Sequence, residues 1–383
     1  MGRMKTVTLP LEGLTAYEFG SNVAGPFAGS ILAELGARLI KVERPEGDDA
    51  RVWGPPFAED GTATIFHALN RNKRSITVDL KDPAALDALK RKIAADGDIV
   101  VQNMRPGAMR KLGLDSETLL ALNPRIIVCN LHAFGASGPL KDRPGYDALM
   151  QAFGGIMSVT GEEGRPPVRC GISVIDMGTG MWCAIGILSA LLRRGVTGKG
   201  GVVDAALFET AVQWMTFYSA DMQVTGKSPT RHGSGVRGIA PYEAFECDDG
   251  YQIVAASNDR LFFKLADALG HPEWKSDPRF ATNPQRDAHR VELKTMLTGI
   301  FLREPRSHWQ TILDDAGVPS APTQTTEEVL AHPQTIASGM MQKLAGYPLS
   351  LIGMPLQFDG NRPGLRSSAP ALGEANDEIL KTG

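Results

Sequence analysis

The sequence predicts an α/β fold: a large domain on a Rossmann-like parallel sheet, followed by a smaller α+β domain. Three observations carry this. Strand-like and helix-like segments alternate through the first half of the chain. Near Arg231 that alternation gives way to a glycine-rich loop and a hairpin signal. At 383 residues, the chain is also longer than a single hydrophobic core ordinarily serves, so two domains are expected.

The elements follow in order. Leu14 to Phe19 reads as a short strand. Gly25-Pro26 opens a helix in which Phe27, Ile31, Leu32 and Leu35 share a face. Gly36 stops it, and Arg38 to Glu43 (RLIKVE) is the next strand, followed by Ser75 to Leu80 (SITVDL). Asp82 as N-cap and Pro83 as first helical residue then start a helix whose buried stripe is Leu86, Leu89 and Ile93. Asp98 to Asn103 (DIVVQN) and Arg125 to Leu131 (RIIVCNL) add two strands. Strands joined by helices of this length imply a parallel sheet covered on both faces, with ligands at its carboxyl edge.

Val168 to Ile175 (VRCGISVI) reads as a half-buried strand ending at Asp176, and Met177 to Leu192 as an apolar helix. Beyond Arg231 comes the loop His232 to Gly238 (HGSGVRG). Two strands within Pro241 to Ala256 then turn at Asp248-Asp249-Gly250, and helices fall around Leu261 to Leu269 and Arg290 to Phe301. The expected division is a large domain over 1–200, a linker over 201–225, a small α+β domain over 226–325, and a tail over 326–383 that packs back on the large domain.

Composition narrows the function. Hydrophobic residues are 43% and charged residues 22%, an ordinary globular balance. A net charge of -3 argues against a general polyanion binder such as a nucleic-acid protein, while leaving room for a local basic pocket. The apolar stretch Met181 to Leu192 reads as too short and too broken to span a bilayer, and the N-terminal segment lacks the apolar run of a secretory signal. Cys129, Cys170, Cys183 and Cys247 show no paired spacing, so reduced, packed thiols and a cytoplasmic or similarly reducing compartment are expected. The seven His show no metal-binding spacing, and no metal is expected. The first strand–helix turn, Gly20-Ser21-Asn22-Val23-Ala24-Gly25-Pro26, lacks GxGxxG, and neither a GxxxxGK[ST] loop nor a GxSxG elbow occurs. The sheet alone therefore licenses neither NAD nor ATP.

Two features point to chemistry. Asp176 stands at a strand-to-helix junction, where it is either a plain N-cap or a functional carboxylate. Gly178 and Gly180 leave space beside it, and helix-start N–H groups suit a developing oxyanion. Cationic and amide residues also recur at predicted strand ends: Arg44, Asn72-Lys73-Arg74, Lys81, Asn103, Arg105 and Lys111. They are solvated surface charges or the site of a phosphorylated ligand.

The blocks LEGLTAYEFGSNVAGPFAGSILAELGARLIKVERPEGDDAR, NRNKRSITVDLKDP, VVQNMRPGAMRKLGL, HAFGASGPLKDRPGYDALMQAFGG and IDMGTGMWCAIGILSALLRRGVTGKGG occur in this order. PYEAFECDDGYQIVAASNDRLF, DPRFATNPQRDAH, DDAGVPSAPTQTTEEVLAHPQ and APALGEANDEIL follow them. Together they resemble the class III CoA-transferase family, which includes formyl-CoA, carnitine-CoA and several dicarboxylate CoA-transferases. The resemblance covers nearly the whole chain. It implies transfer of CoA from an acyl-CoA donor, such as succinyl-CoA, to a free carboxylic acid, with Asp176 as an ionised covalent nucleophile. CoA thioesters would be substrates, with no permanently bound cofactor. The CoA site would comprise Val23, Ala24, Arg44, Val78, Asp79, Leu80, Lys81, Asn103, Met104, Arg105 and Lys111. Tyr146 and Asp147 would line the reaction centre. Arg231, His232 and Arg237 would pair with the distal carboxylate of a dicarboxylic acceptor, unless they are surface charges. An interlocked homodimer is implied as well.

The chain departs from parts of the family. Formyl-CoA transferases carry Gln where this chain has Val23, and a glycine run that HGSGVRG matches loosely. Racemases of the family carry His before the Asp of a GHD block, where this chain has Gly145-Tyr146-Asp147. Their later glutamate has no counterpart here, where the corresponding stretch reads Ser257-Asn258-Asp259. Tyrosine, with an ordinary pKa of about 10, is a poor base at neutral pH. Transfer is therefore favoured over racemisation, the alternatives being a racemase-type isomerase or a non-catalytic CoA-binding paralogue.

Overall fold

The computed structural model describes residues 9–380, so most of the N-terminal segment read for a secretory signal lies outside the described residues. The chain divides into two compact units. The first comprises Met1–Ile156, Arg169–Gly226 and Pro333–Gly383, and the second comprises Met157–Val168 and Lys227–His332.

The first unit is built on six strands: β1 (Thr15–Phe19), β2 (Arg38–Glu43), β3 (Lys73–Thr77), β4 (Ile99–Gln102), β5 (Ile127–His132) and β6 (Gly201–Ala206). Their order is β3-β2-β1-β4-β5-β6, and every neighbouring pair is parallel. This is the doubly wound arrangement, with its switch between β1 and β4, where loops diverge and leave a crevice at the carboxyl edge. Alternate residues feed two core layers. Ala16, Leu39, Ile99, Val101, Ile127 and Cys129 face one side, and Tyr17, Ile40, Val100 and Val128 face the other. The first layer is covered by the helices Ala24–Glu34 and Val174–Thr197, the second by Pro83–Asp96 through Leu89 and Ile93.

Two expectations need correction. Val168–Ile175 is no strand: the chain is irregular up to Ser173, and the helix begins at Val174. Pro166 and Pro167 have no N–H for a ladder, and β5 already has neighbours on both sides. Val168 and Ile172 are exposed, so the β-branched run has no sheet to join. The helix itself has 24 residues, about 36 Å at 1.5 Å per residue. By length and composition it is long and apolar enough to cross a membrane, unlike the shorter, broken stretch expected. Ile175, Cys183, Ile187 and Ala190 on it are packed in the core. A Cβ at Gly180 would lie 2.9 Å from Ala24 O and 3.1 Å from Ala28 N, so glycine lets this helix cross the Ala24–Glu34 helix closely.

The tail seals an edge. Ala375 N donates to Ser75 O at 2.9 Å, and Thr77 N donates to Asn376 Oδ1 at 2.8 Å. Arg74 pairs with Glu374 and Glu378, each at 2.8 Å. The outer side of β3 is thus covered rather than left as an open edge.

The second unit carries the antiparallel sheet β7 (Tyr242–Cys247), β8 (Gly250–Ala255) and β9 (Ser320–Pro322). Helices Asp259–Ala268, Arg290–Phe301 and Arg306–Ala316 pack on it around Phe245, Phe262, Trp274, Phe301 and Trp309. Gly233 N donates to Gly161 O at 2.9 Å, tying the glycine-rich loop to the 157–168 segment.

Candidate active site

A cavity of about 940 Å³ opens at the carboxyl edge of the first unit's sheet. Its floor is the turn after β1, where Ser21, Asn22, Val23 and Ala24 line it. Side chains from neighbouring strands and loops hold that turn. Asn103 clamps Ser21, accepting from its N–H and donating to its carbonyl, both at 2.9 Å. Asn22, in the left-handed region at φ 68°, donates its N–H to Asp48 at 3.1 Å. Beneath, the buried Lys41 donates to Gly20 O and Lys73 to Pro26 O, each at 2.7 Å. The fully buried Glu18 joins them, 2.9 Å from Lys41 and 2.8 Å from Lys73. Burial pulls Lys73 down to about 8. Lys73 and Arg74, read from sequence as strand-end cations, are therefore both engaged by the protein itself, Lys73 buried under the turn and Arg74 paired with the tail at the surface.

Arg44, on the loop after β2, lines the wall with its partner Asp49 and donates to Gly47 O at 2.9 Å. Met104 and Arg105 enter after β4, His132 at the end of β5, and Arg143 and Tyr146 on the following loop. His132 Nε2 lies 3.1 Å from Asp204 Oδ1 on β6. This pair, Asp49 and Arg143 had no spacing signal in the sequence. A second cavity of about 620 Å³ shares Met104, Arg105 and His132 with the first.

Asp176 lies in the wall, third residue of the Val174–Thr197 helix and not its N-cap. Ser173, which precedes the helix, gives no side-chain cap. Asp147 caps it from the helix Asp147–Phe153 instead: its Oδ2 accepts from Ile175 N at 2.8 Å and from Asp176 N at 3.1 Å. Its Oδ1 accepts from Gln151 Nε2 at 2.6 Å, and Gln151 in turn accepts from Cys170 N at 2.8 Å. The amides expected to face an oxyanion at this helix start are thus occupied. Burial, and then the charge of Asp147, push the Asp176 carboxyl up to about 7, so near neutrality a large share is protonated rather than fully ionised. Nor does Gly178 open space for a ligand: a Cβ there would lie 2.4 Å from the Trp214 ring.

Of the residues singled out in the sequence, the cavity brings together Val23, Ala24, Arg44, Asn103, Met104, Arg105, Tyr146 and Asp176. Asp147 is buried behind the wall. Val78, Asp79, Leu80 and Lys81, beyond β3, and Lys111, on the helix Ala108–Leu112, are not among its lining residues. Arg231, His232 and Arg237 belong to the second unit, where Arg231 donates to Arg165 O at 2.5 Å and His232 O accepts from Gly235 N at 2.8 Å. Among the described residues, no group of three or more His, Cys, Asp or Glu could hold a metal ion.

A doubly wound sheet with an arginine-flanked cavity at its carboxyl edge defines an α/β protein suited to an anionic, nucleotide-like ligand. The chain belongs to CoA-transferase family III, whose sequence model matches residues 11–376. It is thus an enzyme of a family that uses CoA thioesters as substrates. The succinate–glutarate CoA-transferase of Agrobacterium fabrum is 36% identical, over 97% of this chain and 95% of that protein. The acetyl-CoA:oxalate CoA-transferase of Acetobacter aceti is also 36% identical, over 97% of this chain and 95% of its own length. The crystal structure of a CAIB/BAIF family protein from Brucella suis superposes with a TM-score of 0.89 at 40% identity, covering 98% of this chain and 99% of that one.

Proposed function

We propose that this enzyme moves CoA from an acyl-CoA donor to a free dicarboxylic acid with Asp176 as covalent nucleophile. The observation that carries the reading is a carboxylate fixed in the wall of the first unit's larger cavity, beside the turn at Val23 and Ala24. An Asp176 oxygen attacks the donor thioester carbonyl and the C–S bond breaks, giving a mixed anhydride and CoA thiolate. The thiolate attacks the aspartyl carbonyl, releasing the donor acid and leaving an aspartyl-CoA thioester. The acceptor carboxylate then repeats the two steps in reverse, restoring Asp176. No water is consumed, and the acyl-transfer potential is kept throughout.

The Ala24–Glu34 helix start has no side-chain cap and lines the cavity. The N–H groups of its first two residues, Ala24 and Gly25, suit the developing negative charge; Pro26 has none and Phe27 N donates to Val23 O. Arg44 and Arg105 suit the CoA phosphates. The two relatives described above carry the diacids succinate, glutarate and oxalate in their names, which supports a dicarboxylate acceptor. Succinyl-CoA is the first donor to try, and Arg231, His232 and Arg237 are the groups assigned to the acceptor's distal carboxylate. Met181, Trp182, Ile185, Leu192 and Val196 stand exposed on a single helix, which supports a homodimer with that helix at its interface. Four free cysteines suit a cytoplasmic setting.

Incubation with succinyl-CoA followed by hydroxylamine tests the reading. A hydroxamate on Asp176, located by peptide mass spectrometry, is the expected result. Absence of adduct with succinyl-, acetyl-, formyl- and branched acyl-CoAs would overturn it.

A further inference from the structure

We propose that Asp147 is a positioning residue for Asp176: held by Gln151, its carboxylate fixes the first helical turn that carries Asp176 and sets the field in which that side chain ionises. The inference rests on the nucleophile reading above. Helix starts usually draw their cap from the residue just before them. Here the cap is distant in sequence. One Asp147 oxygen takes the N–H groups of Ile175 and Asp176, at 2.8 and 3.1 Å, and the other takes Gln151 Nε2 at 2.6 Å.

Asp147 and Gln151 are both buried, and neither lines the cavity. They therefore act through backbone placement and charge rather than by touching substrate. Gln151 also accepts from Cys170 N, so the same pair restrains the segment entering the helix. Two functions are joined in one carboxylate. It fixes the Asp176 backbone, and it places a negative charge behind a nucleophile that must itself be negative to react. The other charged or titratable groups lining the cavity are Arg44, Asp49, Arg105, His132, Asp142 and Arg143, with Tyr146 also in the wall.

Two variants separate these roles. Asp147→Ala removes both. Asp147→Asn keeps one oxygen to accept the two N–H groups and removes the charge, at the cost of the Gln151 bond, because its NH2 then faces the Gln151 NH2. The readout is the rate of hydroxylamine-trappable adduct on Asp176 with succinyl-CoA, measured against pH, beside CoA binding by calorimetry. We expect Asp147→Ala to slow adduct formation about 10- to 100-fold with CoA affinity unchanged. Asp147→Asn should stay within a few-fold of wild type at high pH while its acid limb moves to lower pH. If Asp147→Ala does not fold, the acid limb of Asp147→Asn decides alone.

An Asp147→Ala protein trapped as fast as wild type, or an Asp147→Asn protein whose acid limb stays in place, would overturn the proposal. Wild-type protein that traps nothing on Asp176 would instead overturn the nucleophile assignment and take this proposal with it. The two failures are thus distinguishable.

Discussion

Two helix starts meet the same cavity, and they are finished differently. The helix Ala24–Glu34 begins without a side-chain cap, and its entry turn is held from below by Asn103, Asp48, Lys41 and Lys73. The helix Val174–Thr197 begins with its first amides tied to Asp147. On our reading, the open start is where charge on the substrate is received, and the tied start is where the attacking group is held still. A helix terminus can therefore offer its dipole or offer its rigidity, and partner groups on neighbouring elements decide which.

The largest expected effect falls on the tied start. Asp176→Asn should lower kcat about 10⁴-fold or more, while calorimetry shows CoA still bound. Residual turnover near wild type would remove the distinction between the two starts.

Beneath the open start, Lys41→Met should destabilise the fold by about 3–5 kcal/mol, because the buried Asp48 would lose its ion-pair partner and Glu18 would be left with Lys73 alone. Chemical denaturation measures this. A loss well under 1 kcal/mol would mean that the turn does not depend on the buried network.

The pH profile sharpens the comparison further. Asp176 is raised to about 7, so wild-type kcat/KM should fall as pH drops through that value. The stability effect has the opposite sense. A carboxyl raised above its unfolded value favours the folded state only while protonated, so its contribution is lost as pH rises through about 7. Asp176→Asn should therefore gain thermal stability over wild type at about pH 8 and lose that advantage near pH 4. Scanning calorimetry at the two pH values checks this.

Smaller effects are expected where the two helices and the ligand meet. Arg44→Ala should raise KM for acyl-CoA about tenfold with little change in kcat, by steady-state kinetics. Gly180→Ala should cost about 1–3 kcal/mol in denaturant unfolding, since its Cβ would press on Ala24 O.

Much of the sheet was legible because β1, β2, β4 and β5 are short apolar runs bounded by turn residues. β6 was missed: its sequence GVVDAA carries Asp204 and begins on the second glycine of the pair Gly200-Gly201. The stretch before Asp176 was misread because Val168, Ile172 and Val174 mimic a strand, and local pattern cannot show that the segment pairs with no strand of the sheet. Asp176 itself could be flagged from its junction, but not its capping, which depends on a residue 29 positions away. The amide of Asn103, read as a ligand contact, lines the cavity and also clamps the turn. His132 with Asp204 is likewise a product of neighbouring strands, so no linear spacing announces it. Resemblance, rather than physical reading, singled out Tyr146, which stands in the cavity wall.

The tail that seals β3 has a consequence for how the protein is made. Synthesis releases residues in order, and the N-terminal sheet strands emerge early. The outer side of β3 stays bare until residues 366–380 have left the ribosome, after the whole second unit has been translated. Nascent chains halted before that point would present an unpaired strand edge, a template for aggregation and a recognition signal for chaperones.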